Sequence, residues 1–209
     1  MMAENEFFQG HLREAQEQWQ QVLEADNEKA KEFADAETIR VLVLVWGPGT
    51  GFERYYRKRQ QIAQHINNAH HHNYALFSED IFRFNNESKK TEIIPGEIDQ
   101  ARLAHIIIIL EADPALGAIG SYAEKVIAAT RRKIAPKVVD LIPEKFKPGT
   151  GKGGGLAQVI TEQLRRNNIM YYSSRQFREC HDIRAFCERK VAEARLTLFF
   201  EYQREREGI

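Results

Sequence analysis

The chain has 209 residues with 30 basic and 30 acidic side chains, so its formal net charge is zero. That length suits one α/β domain with an appendage, and the balanced charge argues against a dedicated binder of duplex nucleic acid, which normally shows a basic excess. No apolar run approaches the roughly 20 residues of a membrane span, and the start MMAENEFFQGHLREAQ lacks the basic-then-apolar pattern of a secretory signal, so no membrane partner and a cytoplasmic location are expected.

Leu12, Ala15, Trp19, Val22 and Leu23 share one helical face, which Ala30, Phe33 and Ala34 continue. Residues 1–37 therefore read as an N-terminal helical extension. The stretch GHLREAQEQWQQVLEADNEKA resembles the second helix of a tetratricopeptide repeat, but the chain holds no second copy, and such repeats need neighbours. A helix that packs on the main domain or on a second subunit is the simpler expectation.

Residues 38–209 read as one α/β domain. Ile39 to Trp46 (IRVLVLVW) is a buried strand, Gly47 to Gly51 the turn after it, and Phe52, Tyr55, Tyr56, Arg59, Ile62, Ala63 and Ile66 form a helix stripe. Tyr74 to Ser78 is a second strand, and 84–92 (FNNESKKTE) has loop composition. Pro95 is placed as a first-turn helix proline, and His105 to Leu110 is the third strand. Lys137 to Ile142 and Ile169 to Tyr172 are the fourth and fifth, separated by a loop over Pro143 to Gly155 and a helix over Leu156 to Asn167. Strands alternating with helices imply a three-layer sandwich around a five-stranded parallel sheet, with flavodoxin-like order 2-1-3-4-5 and a ligand crevice between strands one and three.

Ser174 looks like the N-cap of one last helix running towards Gly208. Its roughly 34 residues would span about 50 Å, more than five-residue strands can cover. Its end is expected to cross onto a partner subunit or the N-terminal helix, with a kink as the alternative. Cys180 and Cys187 lie about 10.5 Å apart along this helix, too far for a disulfide, and read as buried free thiols.

Chemistry concentrates in Ala104 to Ala129, AHIIIILEADPALGAIGSYAEKVIAA. An apolar strand ends in the carboxylates Glu111 and Asp113, a turn follows, and the next helix carries Gly120-Ser121-x-x-Glu124. Acidic residues at the carboxyl end of a buried parallel strand, beside a helix N-terminus, mark the usual ligand crevice of an open α/β sheet. The glycines of Gly47-Pro48-Gly49-Thr50-Gly51 allow close backbone approach to a phosphate, which Arg54 and Lys58 on the following helix could supplement. This turn lacks the dinucleotide fingerprint, and Thr150-Gly151-Lys152-Gly153 fails the P-loop pattern. His70-His71-His72 has no metal-ligand partner spacing, so neither metal nor cofactor is expected. Tyr171 and Tyr172, ending strand five, could stack on a base.

Gly47-Pro48 after the first strand and Gly120-Ser121-Tyr122-Ala123-Glu124 on the third strand-helix turn resemble the nucleoside 2-deoxyribosyltransferase-like superfamily, over roughly Ile39 to Ile142. That family has a Gly-Pro at the first place and a Gly-Thr-x-x-Glu with a nucleophilic glutamate at the second. Toll/interleukin-receptor-like NAD-cleaving domains resemble it in placing a catalytic glutamate on the helix after strand three. The resemblance implies cleavage or exchange at the N-glycosidic bond of a nucleoside or nucleotide, NAD included. It implies Glu124 as nucleophile or oxocarbenium stabiliser, and Asp113 or Glu111 gripping ribose hydroxyls or assisting the departing base. Two other functions fit the same pattern. One is a non-catalytic nucleotide sensor of a bacterial stress or defence system, the other a scaffold working through its terminal helices. The apolar load of both terminal segments, Trp19, Val22 and Leu23 at one end and Leu198, Phe199, Phe200 and Tyr202 at the other, leads to an expected homo-oligomer.

Overall fold

A computed structural model of the protein describes residues 36–78, 93–112, 119–147 and 168–208. The expected N-terminal helix, the 84–92 loop, Asp113, the 148–155 loop and the 156–167 helix lie outside the described residues.

Five strands form one sheet: β1 (Val41–Trp46), β2 (Asn73–Leu76), β3 (Ile106–Leu110), β4 (Val138–Pro143) and β5 (Ile169–Tyr172), in the order β2-β1-β3-β4-β5. Every pairing is parallel; Val43 sits opposite Ile106, Ile109 opposite Asp140 and Leu141 opposite Met170. This is the expected flavodoxin-like arrangement, and its strand order reverses between β1 and β3. Five helices accompany the sheet among the described residues: α1 (Glu53–Ala69), α2 (Ile93–Leu103), α3 (Ile119–Ala129), α4 (Ser174–Glu179) and α5 (His181–Glu207).

Alternation along the strands explains the layers. Val41, Val43, Val45, Ile108, Leu110 and Leu141 point to one face and pack with Ile62 and Ile66 of α1 and Ile183, Cys187 and Val191 of α5. Leu42, Leu44, Trp46, Ile107, Ile109 and Val138 point to the other and pack with Ala101 of α2 and Ala128 of α3. A sheet covered on both faces needs apolar residues at successive positions, which is why β1 and β3 read as unbroken hydrophobic runs. Each fully buried Leu or Ile contributes about 1.5–3 kcal/mol by its removal from water.

Two local expectations are corrected at the C-terminus. The last helix is broken: α4 ends at Cys180, whose backbone is left-handed (φ 62°), and the 27-residue α5 begins at His181. The N-cap is Ser173, one residue before the expected Ser174. The Ser173 hydroxyl accepts from the Gln176 backbone N–H at 3.2 Å while the Ser173 N–H donates to the Gln176 side chain at 2.9 Å, a reciprocal capping box. Cys180 and Cys187 are both free and buried. Cys180 occupies the break itself, where its N–H donates to the Gln176 carbonyl at 2.7 Å.

Candidate functional site

The carboxyl edge of the sheet is built from the ends of β1, β3, β4 and β5 with the helix α3 above them. After β1 the chain turns at Gly47, whose φ of 142° is open only to glycine without strain. A Cβ placed there would meet the Leu110 carbonyl oxygen at 2.7 Å, so the first turn lies directly against the end of β3. Gly47 and Pro48 are buried, Gly49 is half-buried, and Thr50 and Gly51 are exposed at the short 3-10 turn Thr50–Phe52 that leads into α1.

A buried arginine holds this turn. Arg59, on the inner face of α1, donates to the carbonyls of Val45 (2.7 Å), Gly47 (3.0 Å) and Pro48 (3.2 Å), with its guanidinium 4.7 Å from the centre of the Phe77 ring. The apolar stripe on α1 includes Arg59 because its planar fork satisfies three strand-end carbonyls at once. Arg54 and Lys58, expected near a phosphate, both make contacts to the α4 segment. Arg54 lies 4.9 Å over the Phe177 ring, and Lys58 donates to the Arg178 carbonyl at 2.8 Å.

At the ends of β3 and β4 lies a buried charge cluster. The Lys125 ammonium, on α3, is held between Glu111 at the end of β3 and Asp140 within β4, 2.8 Å from the Asp140 carboxylate and in a short contact with Glu111. The side chains of Lys125 and Asp140 are 1% and 0% exposed, whereas Glu111 keeps 15%. Alternation puts Asp140 on the α3 face: its neighbours Val139 and Leu141 face α1 and α5. The Glu111 N–H donates to the Leu141 carbonyl at 2.9 Å, continuing the parallel ladder past β3 and fixing the carboxylate beside β4.

The cluster holds two carboxyls and one ammonium. Burial, reinforced by the Glu111 charge, pushes the Asp140 carboxyl well above the usual carboxylate range, and Lys125 only partly offsets this. Burial by itself would lower the Lys125 pKa, but Asp140 and Glu111 outweigh it and raise it. The ammonium form of Lys125 is therefore favoured within the cluster. Tyr172, on β5, donates its hydroxyl to the Glu111 carbonyl at 2.5 Å, stacks on Phe177 at 5.4 Å, and has its pKa raised by burial first. It braces the strand end. Tyr171 faces the charge cluster and is only partly buried, so it is the tyrosine available to a stacked ring.

Glu124 precedes Lys125 on α3 and is 7% exposed. The turn at Gly47 lies against Leu110 at the end of β3, the residue before Glu111. Gly120 and Ser121 lie in the first turn of α3. The reading of residue types missed Lys125, Asp140 and the buried role of Arg59. One signal was present for Asp140, as the single charge inside the strand VVDLIP. Among the described residues, no group of His, Cys, Asp and Glu is placed to hold a metal ion, and no helix is long and apolar enough to cross a membrane.

No protein-family model and no curated protein matches the chain.

Proposed function

We propose that the carboxyl edge between β1 and β3 binds a nucleoside or nucleotide, NAD included, and acts on its N-glycosidic bond. The observation that supports this best is the Glu111–Lys125–Asp140 cluster at the strand ends beside the topological switch point. Breaking the bond to the base builds positive charge on the sugar C1′ and leaves the base needing a proton. Glu124 takes the C1′ side, stabilising the oxocarbenium-like centre or attacking it to form a sugar ester that water or a second base then opens. Glu111, the more open carboxylate of the cluster, grips a ribose hydroxyl or assists the departing base, with the buried Asp140–Lys125 pair beside it. The ligand's phosphate lies against the Gly47–Gly51 turn ahead of α1.

Incubation with a panel of nucleosides and nucleotides, reading the released base by chromatography, tests this assignment. Wild type is expected to release base, whereas Glu124→Gln and Glu111→Gln lose at least about a hundredfold in rate when assayed at a temperature where circular dichroism shows each variant folded. Undiminished release by Glu124→Gln refutes its role. The 7% exposure of Glu124 favours one alternative, a nucleotide sensor without turnover; binding without release by wild type is its signature. Neither binding nor release leaves the helical scaffold.

We also propose that the far end of α5 is an interface with a second copy. Its 27 residues span about 40 Å, against strands of four to six residues. Leu196 and Phe200, one turn apart, are 49% and 56% exposed. Light scattering at micromolar concentration should give a dimer mass, and Phe200→Asp a monomer. A monomeric wild type rejects the interface.

A further inference from the structure

The opposite, amino edge of the sheet holds a cleft of about 400 Å³ between the starts of β3 and β4 and the flank of α5, within the roughly 300–1,000 Å³ typical of small-molecule sites. Among the described residues its charged lining is three lysines, Lys133, Lys137 and Lys190, against Glu193 and Glu201. Lys190 is neutralised by Glu193 at 2.6 Å. Lys137 is half-buried, and among the described residues its hydrogen-bond partners are uncharged: its ammonium donates to the carbonyls of Arg102 at 2.8 Å and Ala104 at 2.7 Å, two of its three N–H groups. Burial lowers the Lys137 pKa, and the Glu201 charge restores only part of it.

His105 supplies a second donor. Its Nδ1 accepts the Leu42 N–H at 3.0 Å, which fixes the neutral tautomer with the proton on Nε2. Burial, then the Lys137 charge, lowers its pKa to about 4, so the ring stays neutral at physiological pH. Among the described residues, the cleft therefore offers an ammonium and an imidazole N–H with no acidic side chain hydrogen-bonded to either, above the apolar side chains of Ile106, Val139 and Leu198.

We propose that this cleft is a second ligand site that takes a small organic carboxylate, its two oxygens on Lys137 and His105 and its apolar body along Ile106, Val139 and Leu198. Excess charge of one sign and one unit matches a monoanion better than a phosphate dianion, whose second charge would be desolvated without a partner. An apolar lining likewise favours a hydrocarbon body over a hydrated ion. The site lies at the far end of the strands from the proposed nucleotide crevice, so its occupancy is independent of that reading.

Calorimetric titration of the full chain with benzoate and with its neutral isostere benzamide tests the site without any activity readout. Benzoate is expected to bind at millimolar concentration or below and benzamide not to bind. Lys137→Met should weaken benzoate about tenfold or more, the loss of a charge-assisted hydrogen bond. Glu201→Gln, which removes a competing negative charge, should tighten it. Ala194→Trp, which fills the cleft from α5, should abolish binding, and it decides the matter if Lys137→Met does not fold. Equal binding of benzoate and benzamide, no binding of benzoate, or benzoate binding that survives Ala194→Trp overturns the proposal.

Discussion

Lys125→Met is expected to destabilise the protein by about 3–5 kcal/mol, because it leaves Asp140 and Glu111 facing each other in a buried site without their cation. Against a total stability of roughly 5–15 kcal/mol this is a large fraction. The deficit should depend on pH with a definite sign. Without the ammonium, the buried Asp140 carboxyl loses the one charge that lowers its pKa and is held further above its unfolded value of about 4. Such groups hold more protons in the folded state, so the variant's stability is greatest below the unfolded pKa. It falls as pH rises through the folded one. Urea unfolding at about pH 5 and about pH 8 should therefore show the wild-type-to-variant gap widening at the higher pH. The double variant Lys125→Met/Asp140→Leu should recover much of the loss, since a packed apolar group replaces an unpaired buried acid. A deficit below about 1 kcal/mol, or one that narrows as pH rises, would show that Lys125 does not hold this cluster together.

Gly47→Ala should cost about 3 kcal/mol or more, from two sources. A non-glycine residue at φ 142° carries about 1–3 kcal/mol of backbone strain. The added Cβ would also stand 2.7 Å from the Leu110 carbonyl oxygen and 3.1 Å from the Arg59 Cδ. The first of these is backbone and cannot swing aside. Relief requires the β1 turn to move away from the end of β3, the place where Glu111 is positioned, so any nucleotide affinity should fall together with stability. Gly51→Ala is the matched control: its Cβ would meet nothing within 4 Å, and its effect should stay within about 0.5 kcal/mol. Thermal unfolding of the pair, with ligand titration at a temperature where both are folded, reads both effects. Equal midpoints for the two variants would reject the close approach of β1 and β3 at this turn.

Hydrophobic patterning alone determines the architecture of this chain. IRVLVLVW and HIIIIL are too uniformly apolar to border water on either side, and strands of that kind separated by helix stripes lead to a parallel sheet covered on both faces. The alternation of strands and helices also led to the order β2-β1-β3-β4-β5, which reverses between β1 and β3. Residue type also led correctly to free, buried thiols.

Pairing across the fold was not legible. Lys125 reads as a solvated helix lysine, since nothing within ten residues on either side reveals that Asp140 from a different strand faces it; only register and the stacking of α3 over β3 and β4 bring them together. Arg54 and Arg59 illustrate the same limit on one helix. Both are basic residues near a glycine turn, yet the one five residues on, turned inward by helical periodicity, holds the turn. The break at Cys180 is likewise tertiary. Local sequence from Ser173 to Glu207 is consistent with one continuous helix, and the left-handed residue at Cys180 allows Phe177 to pack on Tyr55 and Tyr172 while α5 lies across the sheet. Short-range pattern thus determined the layers and placed Glu111 at the carboxyl end of β3. The charges at that edge were decided by contacts between residues distant in the chain, because their pKa values and orientations depend on burial that exists only in the folded state.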